Sequence, residues 1–313
     1  MNVINRIAVS LFAVSAVFLP VGCGDAGNAP GAAPRIKAAA GLPPVAYLAK
    51  RVGGDAVAVS SVLPEGRSPH DFSPGPREVR DAASAQLFFT TGMRFETALT
   101  KMLGSDRKVV DVSRGIERIP MLVSCGHDHR DGDHGHHHDH EHDEESLDPH
   151  IWLDAENACR MAENIRDAFS ALDPKNAGVY AANCAGLSSD LRARAAKLKA
   201  ELSPYRGRSF YVYHPAFGYF GAMLGLRQEA VELGGREVTP ARLAEVIRKA
   251  RRDKVKVIFT QPQFSPASCR ALERELGVTT VPADPLRSDL AENFEYLGEA
   301  LKRGFAASSG GDL

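Results

Sequence analysis

The feature that most constrains the fold is an alternation that runs along the chain twice. From Arg35 onward, short runs rich in β-branched, aromatic or small apolar residues alternate with amphipathic stretches, with few residues between them. In the first half the runs are Ile36–Ala40, Val57–Leu63, Gln86–Thr90 and Val109–Val112. Helical patterns at Pro44–Val52, Arg77–Ala85 and Arg94–Leu103 separate them. The second half repeats the scheme, with strand candidates at Ser209–Tyr213, Gln228–Glu232, Lys254–Phe259 and Val278–Val281. Its helix candidates are Ala216–Leu224, Pro240–Arg252, Pro266–Leu276 and Asp289–Lys302. Thr239-Pro240 and Ser265-Pro266 each supply an N-cap residue followed by a proline suited to the first helical position. A strand–helix repeat with short connections predicts mostly parallel sheets covered by helices.

Ala155–Leu202 divides the two repeats and reads as helix in two pieces. The second piece, from Pro174 to about Leu202, has apolar positions at Val179, Ala182, Leu187, Leu191, Ala195 and Leu198. A helix of that length rises about 40 Å, too long for a local crossover and suited to a strut. The expected architecture is α/β: two lobes, each with a roughly four-stranded sheet, joined by a long rigid helix. The boundaries read as a signal segment over 1–23, a flexible tether over 24–35 and an N-terminal lobe over 36–173. A linking helix over 174–203 and a C-terminal lobe over 204–313 follow. One large doubly wound domain is the alternative.

The first 23 residues read as an export signal: Arg6 precedes an apolar run from Ile7 to Leu19, shorter than a bilayer span. The segment ends in Leu19-Pro20-Val21-Gly22-Cys23, which resembles a bacterial lipobox with Cys23 as the lipidated residue, although Pro20 stands where Leu is usual. A cleaved secretory signal is the other reading. Both place the mature protein outside the cytoplasmic membrane, where disulfides form. Cys159 and Cys184 lie almost equally far from the turn at Leu172-Asp173-Pro174, so an antiparallel helix pair brings them level, either as a disulfide or as two buried thiols. Cys125 could ligate metal or stand as a free thiol.

The 11 histidines split into two populations. His127, His129, His134, His136, His137, His138, His140 and His142 fall in an acidic, Gly-punctuated tract without apolar residues. Such a tract has nothing to bury and is expected to be a mobile loop, within 125–147, that collects metal at low affinity or is merely a solvated acidic segment. The stretch His127–Glu145 carries a net charge of -7, which leaves +6 scattered over the rest of a chain whose total is -1. No clustered basic footprint for nucleic acid results.

The remaining histidines, His70, His150 and His214, each stand beside a proline, in Ser68-Pro69-His70, Asp148-Pro149-His150 and His214-Pro215. Asp284, in Ala283-Asp284-Pro285, follows the last strand candidate. Loops just beyond the ends of parallel strands are where open α/β sheets bind ligands, and neighbouring prolines stiffen the backbone that presents the side chains. Two of these residues come from each half of the chain, which puts the site between the lobes. Three imidazoles and a carboxylate suit Zn2+, which takes N and O donors tetrahedrally. Each histidine taken singly could equally be a structural residue.

The segments Leu63–Pro74, Asp148–Asp154, Tyr213–Phe220 and Asp284-Pro285-Leu286 resemble the motifs of the zinc-type substrate-binding proteins of ABC metal transporters. Tyr47–Val62 and Glu232–Ile247 are similar to the same family, so the resemblance covers nearly all of the mature chain. It implies His70, His150 and His214 as metal ligands, with Asp284 or a water as the fourth. It also implies a His-rich acidic loop before the second ligand. Members that handle manganese resemble this sequence but carry a carboxylate at the place of His214, and imidazole-rich sites favour Zn2+ over Mn2+.

The expected function is extracytoplasmic capture of Zn2+ and delivery to an ABC permease, by a monomer held at the membrane through its lipid anchor, without bond chemistry and without nucleic acid. A manganese or other divalent-metal receptor, a secreted zinc hydrolase and a surface adhesin are the rivals. For the hydrolase, His140-Glu141-His142-Asp143-Glu144 falls short of the His-Glu-x-x-His pattern, and neither Gly-x-Ser-x-Gly nor a P-loop occurs. Metal binding should weaken as pH falls through the imidazole range near ~6.5.

Overall fold

Proline or a carboxylate stands at the start of several helices, and short runs of small, aromatic or β-branched residues supply most of the strands between them. The computed structural model describes residues 35–104, 108–121, 147–232, 239–255, 257–264, 270, 273–275 and 277–309. The signal segment with Cys23, the tether, Cys125 and the histidine tract lie outside them, as does most of the helix expected at Pro266–Leu276.

Strands β1 (Ile36–Ala40), β2 (Val57–Ser61), β3 (Leu87–Thr90) and β4 (Lys108–Asp111) form one sheet in the order β2-β1-β3-β4. Helices α1 (Pro43–Gly53), α2 (Pro76–Ala83) and α3 (Arg94–Leu103) connect them. The second sheet repeats the arrangement as β6-β5-β7-β8, from β5 (Ser209–Val212), β6 (Arg227–Ala230), β7 (Val257–Thr260) and β8 (Thr279–Pro282). All strand pairs in both sheets are parallel. Strands β1 and β3, like β5 and β7, flank the point where the strand order reverses, the position at which such sheets open a crevice beyond their carboxyl ends.

Helix α4 (Ala155–Leu172) starts where the Asp154 side chain accepts the Asn157 amide at 2.9 Å. After a single turn at Pro174–Asn176, α5 (Ala177–Leu202) runs as the expected strut. Its buried seam is Tyr180, Cys184, Leu187, Leu191, Ala195, Leu198 and Leu202, spaced by three and four residues. The seam departs from the sequence pattern at its start: Val179 is 51% exposed, whereas Tyr180 turns inward and donates its hydroxyl to Asp173 at 2.9 Å. α5 packs on α1 and α4 on one side. On the other it meets α6 (Gly218–Leu224) and α8 (Leu290–Ser309), with Arg194–Glu295 and Lys302–Glu201 ion pairs at 2.8 Å. α7 (Pro240–Arg252) covers a small separate cluster of Tyr211, Val231, Val246, Ala250, Ile258 and Val278.

The main core is continuous across the two sheets: Phe88, Trp152, Phe169, Leu191, Phe220 and Phe294 belong to one buried cluster. The lobes are separate sheets of the same topology but share this core, because α5 presents one apolar seam to both. The expected Cys159–Cys184 disulfide is not formed. The helices do bring the two residues to the same place, but both are free, buried thiols, and Cys159 Sγ points to the Ser188 carbonyl at 3.8 Å. Burial pushes both thiols above their ordinary pKa.

At the reversal point of the first sheet the crevice is plugged by a carboxyl group. Glu96 is fully buried, and its Oε2 accepts from Thr90 Oγ1, Thr91 N and Met93 N at 2.9 Å each. Burial raises its pKa. A side-chain carbon on Gly41 would lie 1.7 Å from Glu96 Oε1, so only glycine leaves room for this carboxyl. Gly41→Ala should therefore destabilise the protein by about 1–3 kcal/mol, as overpacking does. Urea unfolding followed by Trp152 fluorescence checks this; an unchanged midpoint would show that Glu96 can move aside freely.

Candidate metal centre

Three loops deliver the scattered histidines to one point. His70 lies in the loop between β2 and α2, His150 directly precedes the single helical turn Ile151–Leu153, and His214 follows β5. One nitrogen of each ring comes within 4.8 Å of the others, making the His70–His150–His214 cluster a group that could hold a metal ion. Ring centroids are 4.7 Å apart for His70–His214, 5.4 Å for His150–His214 and 5.5 Å for His70–His150. His70 Nε2 and His214 Nε2 face each other at 3.1 Å. Two nitrogens bound tetrahedrally to zinc at ~2.0–2.1 Å would stand roughly 3.3–3.4 Å apart, so this pair is already near ligand spacing.

Orientation comes from carboxylates. His150 Nδ1 is 2.7 Å from Asp148 Oδ1, which also accepts the His150 backbone N–H at 2.9 Å. His214 Nδ1 is 2.6 Å from Glu232 Oε2. A carboxylate accepts the Nδ1 proton, and that tautomer leaves the Nε2 lone pair free for a cation. Both imidazoles are buried with their carboxylates. Gln261, just past β7, clamps the His214 backbone from both sides: its Oε1 accepts His214 N at 3.2 Å and its Nε2 donates to His214 O at 2.7 Å. His70 is anchored more lightly, with its backbone N–H on Ser68 Oγ at 3.3 Å, and it is the one ligand candidate that is exposed as a residue.

Asp284 is not part of the three-nitrogen group, and of the two expected fourth ligands, Asp284 or a water, the carboxylate is engaged elsewhere in this structure. Its Oδ1 is taken up by Gln263 Nε2 at 2.7 Å and by the Leu286 N–H at 2.9 Å, a short turn that folds the carboxylate back on its own loop. The cavity beside the imidazoles is instead bordered by Pro69, Gln263, Phe264 and Leu286. Sequence reasoning missed Asp148, Glu232, Gln261 and Gln263. Asp148 was in view, two residues before His150, but nothing in the pattern separated an orienting carboxylate from a solvated one. Glu232 and Gln261 reach His214 only through the pairing of β5 with β6 and β7.

Two of the imidazoles, His70 and His214, resist protonation. His70 is pushed down to about 3, first by loss of solvent around its ring and then by the neighbouring His150 and His214 rings. Burial also lowers His214, against the pull of Glu232. The acid limit set by these two groups therefore lies below the ordinary imidazole value near 6.5 that the sequence suggested. The sign follows directly. Between 6.5 and about 3 the unfolded chain takes up a proton at residue 70 that the folded, metal-free chain refuses, so stability falls as pH drops through that window. Above it the group contributes no slope. Urea unfolding of metal-free protein across this range should show a shallower acid decline for His70→Asn than for the native sequence. Identical slopes would mean that His70 titrates normally.

Comparisons with known proteins find relatives over most of the chain. A family model described as zinc-uptake complex component A, periplasmic (ZnuA), matches residues 39–301. The zinc-binding lipoprotein AdcA of Streptococcus pneumoniae is 30% identical over 298 residues, covering 94% of this chain and 58% of that protein. The chain thus spans less than two thirds of the length of these streptococcal relatives. The high-affinity zinc uptake system protein ZnuA of Yersinia pestis is 29% identical over 262 residues, 79% of this chain and 82% of that one. A crystal structure of ZnuA superposes with a TM-score of 0.76 at 27% identity, over 87% of this chain and 99% of the other.

Proposed function

The chain belongs to the family of periplasmic zinc-uptake component A, ZnuA, and from that membership we propose that it captures Zn2+ outside the cytoplasm and delivers it to an ABC permease. The observation that carries the reading is the convergence of His70, His150 and His214 with Nδ1 of the last two committed to carboxylates. Neutral imidazoles presenting Nε2 form a donor set suited to zinc, and the oxygen-rich environment that favours manganese is lacking at position 214. The role is that of a receptor rather than an enzyme: the cation is cargo, bound and handed over without any bond being made or broken in a substrate.

The three imidazoles are not held equally. His150 and His214 are buried and braced, whereas His70 arrives from an exposed loop. The relatives' names speak of zinc uptake and of a lipoprotein, which supports an extracytoplasmic location and a permease partner. Attachment through Cys23 and action as a monomer belong to the same proposal, and so does metal collection by the histidine tract.

Isothermal titration should find one tight Zn2+ site that survives deletion of 127–145 and is lost in His150→Ala or His214→Ala. A tight site indifferent to these two substitutions would place zinc elsewhere and refute the assignment. Asp148→Asn and Glu232→Gln should each weaken zinc binding by about 10–100-fold, the usual cost of removing the partner that orients a ligating imidazole.

A further inference from the structure

A residue that borders the site carries a buried polar atom with no partner among the described residues. Gln263 lies in the turn after β7 and borders the same cavity as the three imidazoles. Its Nε2 donates to Asp284 Oδ1 at 2.7 Å, which settles the orientation of the amide: a carboxylate oxygen accepts only from the nitrogen end. The opposite end, Oε1, is shut off from solvent and has no hydrogen-bond partner among the described residues. A buried carbonyl oxygen left in this state is unfavourable, so its surroundings call for a donor or a cation. Asp284 cannot turn away to release the amide cheaply, because the same Oδ1 also accepts the Leu286 N–H at 2.9 Å.

We propose that Gln263 Oε1 is the acceptor for a water bound in the fourth coordination position of the metal, and that Asp284 acts on the metal only by holding Gln263. The proposal rests on the reading of His70, His150 and His214 as the zinc site. Three protein donors leave zinc one position for water, and such a water needs an acceptor for its polarised proton. The other polar residues bordering the cavity are engaged, Ser68 by the His70 N–H and Gln261 by the His214 backbone, and the rest, Pro69, Phe264, Pro285 and Leu286, are apolar. The amide oxygen is therefore the group placed to receive it. This makes Gln263 a positioning residue for the fourth ligand and a determinant of metal preference. A neutral acceptor leaves the first shell to imidazole and water, whereas a carboxylate at this position would enter the shell itself and favour harder cations.

The test is competitive titration of Zn2+ and Mn2+ against a chelator, with the visible absorption spectrum of Co2+ as a report on the first shell. It uses the native chain, Gln263→Leu, Gln263→Glu, Asp284→Asn and His150→Ala. Gln263→Leu should lower zinc affinity about 10–100-fold and alter the cobalt spectrum while all three imidazoles remain. Gln263→Glu should shift preference toward Mn2+. Asp284→Asn keeps an acceptor oxygen for the amide, so its effect should be smaller than that of Gln263→Leu. The proposal is overturned if Gln263→Leu leaves affinity and spectrum native. It is overturned equally if Asp284→Asn costs more than Gln263→Leu, because Asp284 would then be a ligand itself. Should His150→Ala also bind zinc like the native chain, the three-histidine reading fails, and the two failures are thereby told apart. Unfolding midpoints of each variant separate a local effect from loss of the fold.

Discussion

The hydrogen bond between a buried imidazole and a carboxylate is the interaction on which the rest of the site depends. An uncharged imidazole is ambiguous, since either nitrogen can carry the proton and the ring can flip. Asp148 removes the ambiguity for His150 and Glu232 removes it for His214, at 2.7 Å and 2.6 Å respectively. Without them, nothing would aim Nε2 rather than Nδ1 at the common point. Asp148 is itself confined: a side-chain carbon on Gly218 would lie 2.5 Å from its Oδ2, so the start of α6 approaches within reach of the carboxylate because glycine stands there.

This local geometry has value only if the two sheets keep their relation. The continuous core around α5 holds the bulk of the molecule, and a few polar ties fix the loops that carry the ligands. Trp152, the single tryptophan of the chain, is fully buried two residues after His150 and donates its indole N–H to the Pro285 carbonyl at 2.7 Å. Tyr219 on α6 donates its hydroxyl to the Asp148 carbonyl at 3.2 Å and accepts the Ile119 N–H at 3.1 Å. The His150 loop, although it belongs to the first half of the chain, is thus bonded to the second half on both sides of its ligand. The same tie positions the Asp284–Leu286 turn against the site.

Much of this was legible in the sequence. The eight strands appear at or within three residues of the expected runs, because β-branched clusters between amphipathic stretches leave few alternatives. The three histidines were identifiable for a related reason: a histidine in a proline-flanked loop past a strand end has no apolar face to satisfy. Asp284 satisfies the same criterion, but position past a strand end does not determine which way a carboxylate turns, and here Leu286 N and Gln263 Nε2 hold it against its own loop. The seam of α5 shifted by one residue at its N-terminal end because Tyr180 finds a hydrogen-bond partner in Asp173 that Val179 could not use. What stayed hidden were the contacts made by sheet pairing, among them Glu232 with His214 and Gln261 with the same backbone.

On the proposed zinc-receptor reading, the charge balance of the site accounts for both selectivity and release. Three neutral imidazoles would leave a divalent cation with its full charge in a poorly solvated place, which by itself is unfavourable. The compensating carboxylates are present, but each stands one hydrogen bond away: Asp148 behind His150, Glu232 behind His214 and Asp284 behind Gln263. Negative charge at that distance lowers the cost of burying the cation and raises the basicity of the imidazoles. It does so without giving hard cations the direct oxygen contacts they require. A carboxylate moved into the first shell would tighten the hold but admit those competitors. Keeping the acids behind nitrogen and amide donors, with the least braced imidazole on an exposed loop, is the arrangement that reconciles discrimination with eventual release.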